Sequence, residues 1–322
     1  MQRPSRGYSG LDQIRAREGI DACRAAFHEI YIRDMRRAVR LLNDPRLTFP
    51  TLYILSLQIE ESVYPYLRER LVMGLRLIEG VRAVHSGHAQ RGRAEHTALA
   101  WVLDTGYEEN GLDEAYEEVL ERAVSLLINT YHDTDILPRV AHMIFARHRE
   151  GRNIHDLTWA YFQSGYPDAL RLIARRLSSA EPADVTLACR LLHIDPPGSD
   201  PDSCRKEYRP YMEWLRDNDP YLYFTGESMQ YASAPIFYRV DPERKYLQQG
   251  IASYHRKPVT PADEGERRRL EAFAALTEEE KTSLAEYSQR LHAKDAAGWK
   301  RWMGCPIEEQ VRIAKTEGEG SK

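Results

Sequence analysis

The chain has 322 residues, 42% of them hydrophobic and 10% aromatic, with 29% charged and a formal net charge of −4. That length and apolar content allow a sizeable core and exclude a wholly disordered chain, a collagenous chain and a small disulfide-stapled fold. Acids outnumber bases 49 to 45, so no global basic field exists to hold nucleic acid, although 37 arginines against 8 lysines supply many planar guanidinium groups.

The N-terminal MQRPSRGYSG has no apolar stretch behind its arginines, and Asp12, Glu18 and Asp21 argue against an amphipathic presequence. No apolar run approaches the ~18 residues a spanning helix needs. The longest, Leu52 to Leu57, is broken by Ser56 and runs into Gln58, Glu60 and Glu61. A cytoplasmic protein without a membrane partner is expected. Cys23, Cys189, Cys204 and Cys305 form no CxxC pair, and Cys23 and Cys189 sit among apolar residues at helical spacing, which reads as buried free thiols.

Helical periodicity runs from residue 11 to about 218. Cys23, Phe27, Ile30, Val39 and Leu42 place one amphipathic helix before the Asn43-Asp44-Pro45 turn. A second element covers about 51–63, and Pro65 opens a third that carries Leu67, Leu71, Leu75 and Ile78. After the loop 86–93 come a short helix at 94–104 and a strong one from Leu112 to Thr130. Further helices are predicted at 135–149, 154–163, 167–178, 182–193 and 205–217. Displaced by 28 residues, Ala146-Arg147 falls over Ala174-Arg175, and Asp156, Thr158 and Ala160 fall over Asp184, Thr186 and Ala188. The second copy resembles a HEAT-type helical pair, which implies a stack with an elongated binding surface; an irregular stack of antiparallel helices is the favoured architecture.

Between residues 219 and 261 the periodicity fails. Tyr221, Tyr223, Phe224, Tyr231, Tyr238 and Tyr246 are interleaved with glycines and prolines, and 222–224 and 236–240 could be short extended pieces. A structureless stretch this long is uncommon in a compact domain. It is expected to lie against the helices with its rings buried, and it is the best candidate for a protein-docking element. Beyond it, 266–276 and 277–292 read as helices, the latter opened by a Thr277/Glu280 capping box. A last helix starts at Pro306, and Trp299 with Trp302 reads as an anchor for this segment. The expected division is a helical stack at 1–218, the connector at 219–261, a small helical segment at 262–316 and a disordered tail at 317–322. The fold class is all-α.

Three constellations bear on function. His132-Asp133 at a helix end, with His85, His88 or His96 upstream and Asp168, Asp184 or Asp195 downstream, resembles the HD-domain metal phosphohydrolases. That resemblance implies a divalent metal activating water against a phosphate ester; on local grounds, Asp133 or Asp135 caps the helix that follows. Arg33, Arg36, Arg37 and Arg40, at offsets of three, four and seven, form a stripe that could meet phosphates, including those of nucleic acid. Glu114, Glu117, Glu118 and Glu121 repeat the same offsets with opposite charge. The two faces could bridge each other, meet partners or stay solvated. Gly226-Glu227-Ser228 begins a nucleophile elbow but lacks the second glycine. Without a phosphate loop, dinucleotide fingerprint or HExxH, no cofactor is expected. The favoured function is a non-catalytic scaffold or adaptor for a protein partner.

Overall fold

The computed structural model describes residues 7–82, 92–109, 112–195, 200–228, 231–232, 234–251 and 258–319. Among the described residues the fold is all-α apart from one two-stranded sheet. No helix among the described residues is long and apolar enough to cross a membrane. The chain divides into two compact units after Ser164.

The first unit begins with α1 (Gly10–Glu18), whose N-terminus is closed by a Ser9/Asp12 capping box. Asp12 is buried, and its carboxylate also accepts from the hydroxyls of Thr48 and Thr51. The helix predicted to run through to Leu42 is in fact two, α2 (Ile20–Arg33) and α3 (Met35–Leu42). Asp34 leaves helical geometry at φ −147° and its carboxylate accepts the Arg37 N–H at 3.0 Å. An aspartate is favoured at such a cap, and here it closes α2 and opens α3.

Every residue of α4 (Phe49–Leu55) is buried, its one hydroxyl-bearing aliphatic residue, Thr51, satisfied by Asp12. Two 3-10 turns follow, the second containing Pro65 and giving way to α5 (Glu69–Arg82). Then come α6 (Arg93–Gly106), α7 (Glu114–Asn129), α8 (Leu137–Arg149) and α9 (His155–Gln163). The core centres on Phe49, whose ring meets Trp101 edge-on at 5.9 Å and stacks on Tyr116 at 5.7 Å.

The second unit holds α10 (Asp168–Ala174), α11 (Pro182–Leu191), α12 (Pro201–Lys206) and α13 (Tyr208–Asn218). Next, β1 (Leu222–Phe224) pairs antiparallel with β2 (Tyr238–Val240), Tyr223 lying opposite Arg239. These strands fall within the two extended pieces read from the sequence. They are followed by α14 (Pro242–Leu247), α15 (Glu264–Ala274), α16 (Glu278–Lys294), α17 (Ala296–Met303) and α18 (Ile307–Glu319). The Thr277/Glu280 capping box opens α16.

The compact units divide after residue 164, and the connector lies within the second, packed against the chain that precedes it. The Phe224 ring lies against Gly165, the Tyr238 hydroxyl donates to the Tyr166 carbonyl at 3.0 Å, and the buried Lys245 donates to Asn218 at 2.7 Å. Helix α18 runs through 317–319, where a disordered tail was expected, and Tyr287 donates to Glu317 at 2.8 Å; 320–322 lie outside the described residues.

Candidate functional site: an apolar groove beside the aromatic segment

Helix α13 is read by spacing. Leu215 and Asn218 are buried, whereas Tyr211 and Trp214, one turn earlier, turn their rings (5.4 Å apart) toward an open groove of about 300 Å³. Leu170 of α10 and the chain leaving α11 form further lining. Helix α11 stops because His193 takes the left-handed conformation at φ 54°, as a helix-ending residue often does. Its ring Nε2 donates to the Pro235 carbonyl at 2.8 Å, which holds Ile236, Phe237 and Tyr238 as the remaining wall. Thr225 and Glu227 steady that wall, the hydroxyl donating to the Ile236 carbonyl at 2.7 Å and the carboxylate accepting the Ile236 N–H at 2.9 Å.

The groove offers apolar surface with sparse polar handles, the usual character of a recognition site. Trp214 and Ile236 stand at its mouth, each 40% exposed. Burial alone pushes the Tyr211 phenol up, so it stays neutral. Among the described residues the lining holds no carboxylate, thiol or ammonium group. Behind it, burial and the neighbouring Cys204 thiol raise Cys189, whose Sγ–H donates to the Ile194 carbonyl at 3.5 Å.

The aromatic candidates divide. Tyr221, Tyr238 and Tyr246 are buried, and their hydroxyls donate to Gln248, Tyr166 and Gln310. These hydroxyl bonds hold the connector down; of the three, only Tyr238 also lines the groove. Tyr223 and Phe224 are half-buried, and Tyr231 is 90% exposed. Trp302 is buried, and Trp299 donates to Ser288 at 2.8 Å, so both tryptophans anchor the C-terminal helices.

The charged candidates divide too. Arg33 lies on α2, ion-paired with Glu29 at 2.6 Å, while Arg36, Arg37 and Arg40 lie on α3; the break at Asp34 separates the stripe. The acidic face does not meet it. Glu117 and Glu121 are answered by Arg147, and Glu117 also by Arg152, while Glu114 and Glu118 are exposed. His85 and His88 lie outside the described residues. His96 Nε2 sits 2.9 Å from Asp133 Oδ2, with the Tyr131 ring 5.1 Å from the imidazole. The other Asp133 oxygen caps the following turn by accepting the Asp135 N–H at 3.0 Å. His132 is exposed, at φ 52°, where α7 ends. Asp168 pairs with Arg171, and Asp184 lies 3.6 Å from Arg176. No three His, Cys, Asp or Glu among the described residues form a metal-holding group.

Tyr211, Trp214 and His193 escaped the sequence reading. The spacing of three between Tyr211 and Trp214 was a signal, but their outward turn depends on Leu215 and Asn218 occupying the inner face. No protein-family model matches the chain, and neither a curated protein nor a solved structure matches it.

Proposed function

We propose that the chain is a non-catalytic scaffold or adaptor that takes an apolar segment of a partner protein into the groove of its second unit. The observation that carries this reading is the groove itself, apolar along its walls and opened by exposed Trp214 and Ile236. Exposed tryptophan beside a desolvated pocket is the typical anchor of a protein interface. A HEAT-like kinship of α8–α9 with α10–α11, carried by the 28-residue echo, belongs to the same reading. So does a reducing, cytoplasmic setting, supported by free thiols at all four cysteines.

Photo-crosslinking tests it. With p-benzoylphenylalanine in place of Trp214, a discrete polypeptide adduct is expected in cell extract, and Ile236→Arg should abolish it. No adduct at Trp214, or the same adducts from a probe at exposed Glu279, would overturn the reading.

A second reading, an HD-type metal phosphohydrolase, is favoured by one observation, the approach of His96 to Asp133. It requires stoichiometric Mn, Fe, Ni or Zn by elemental analysis of the purified protein, lost in His96→Ala and Asp133→Ala. Metal-free protein would eliminate it.

A further inference from the structure

Six consecutive residues, Ile32 to Arg37, are exposed where α2 hands over to α3. This run spans the end of α2 and the start of α3 and contains no buried residue. Two of its members are large and apolar: Ile32 is 70% exposed and Met35 39%. The acids nearby are already engaged, Glu29 by Arg33 and Asp34 by the N–H of Arg37. Among the described residues no carboxylate is ion-paired with Arg36, Arg37 or Arg40, all of which are exposed. The chain as a whole is acidic, so this is a local concentration of unanswered positive charge flanking aliphatic tips.

We infer that this shoulder docks on the surface of an anionic phospholipid bilayer. Guanidinium groups pair with lipid phosphates and carboxylates, while Ile32 and Met35 enter the boundary between headgroups and acyl chains. A nucleic-acid backbone would satisfy the arginines equally well but gives exposed aliphatic side chains nothing to do. Charge and apolar tips together fit the bilayer better. The contact is peripheral and reversible, and it is independent of the groove in the second unit.

Cosedimentation with vesicles tests this, comparing phosphatidylcholine alone with the same lipid containing one third phosphatidylserine. The full chain is expected to bind only the anionic vesicles, and less as salt rises. Arg36→Gln with Arg37→Gln should weaken binding about thirtyfold, the effect of removing two basic groups near such a surface. Ile32→Ser should weaken it roughly tenfold at every salt concentration. These positions are exposed, so the variants should keep the wild-type circular dichroism, and Trp214→Ala should bind vesicles normally. Three results would each overturn the inference: no binding to either vesicle, equal binding to both, or anionic binding that survives both variants. A single-stranded RNA oligomer held more tightly than vesicles, through the same arginines and unaffected by Ile32→Ser, would reassign the shoulder to polynucleotides.

Discussion

The Arg147 guanidinium, shut off from solvent, reaches across to α7 and is shared between Glu117 and Glu121, one turn apart. The same arginine donates to the Glu117 carbonyl at 3.3 Å, so its planar fork is used on both side chain and backbone. Arg147→Met leaves the half-buried Glu121 without its countercharge and should cost on the order of 2–4 kcal/mol in chemical denaturation. Lysine should not restore it, because a point charge cannot span both acceptors.

Burial raises Glu121 above the usual carboxylate range, with Arg147 opposing that rise. The folded chain therefore keeps this proton at a pH where the unfolded chain has released it, and stability falls as pH rises through that window. Without Arg147 the window extends upward. The Arg147→Met penalty should consequently shrink at about pH 5 relative to about pH 8. An equal penalty at both would show that Glu121 is not the group left stranded.

Tyr246 anchors the C-terminal cluster, its ring stacked on Phe273 at 4.6 Å and its hydroxyl donating to Gln310 at 2.7 Å. Burial pushes the phenol up to about 12 from its ordinary 10.0, against the opposing Gln310 hydrogen bond. Between those values the unfolded chain loses the proton and the folded chain keeps it, so stability falls as pH rises there. Tyr246→Phe should flatten that alkaline slope while costing about 1 kcal/mol at neutral pH. Tyr246→Ala should cost roughly 3–5 kcal/mol by opening a cavity. Denaturation curves from about pH 7 to 11 would check both.

A β-carbon at Gly106 would stand 2.7 Å from the Tyr116 hydroxyl, which donates to the Gly106 carbonyl at 3.0 Å. The Tyr116 ring is fully buried against Phe49 and has no room to retreat. Alanine ordinarily favours a helix over glycine by ~1 kcal/mol, but here the sign should reverse, to a net loss of about 1–3 kcal/mol. Adding Tyr116→Phe should recover part of the loss, a coupling that a double-mutant cycle in thermal melting would resolve.

Asp12 joins α1 to the start of α4 through Thr48 and Thr51. Asp12→Ala strands the buried Thr51 hydroxyl and the half-buried one of Thr48 and removes the capping box, so α1 should detach before the rest of the unit unfolds. Trypsin cleavage at Arg15 and Arg17, accelerated at least tenfold in the variant, would reveal it.

The helices were legible because their apolar positions recur at three and four, and the strands because residues 222–224 and 236–240 lack that recurrence. The Thr277 cap and the Trp299/Trp302 anchor were legible from local chemistry. The α2–α3 break was not, since apolar positions continue in phase across it and one aspartate looks like any surface acid. Pairing Glu117 and Glu121 with Arg147 spans 30 and 26 positions, and periodicity carries no information over such separations. The rings of Tyr221, Tyr238 and Tyr246 were expected to be buried, and they are; that Tyr238 alone of the three lines the groove is a matter of packing, which composition does not encode. The groove eluded sequence because its two sides come from stretches far apart, brought together by contacts such as His193 with Pro235 and Tyr238 with Tyr166.

That arrangement ties recognition to cooperativity. The wall at Ile236–Tyr238 returns to the helices after a long excursion, so a guest seated there clasps strands of the polypeptide that diffuse apart on melting. Occupancy should thus lift the melting temperature of the second unit with the logarithm of guest concentration, and leave the first unit's transition where it was.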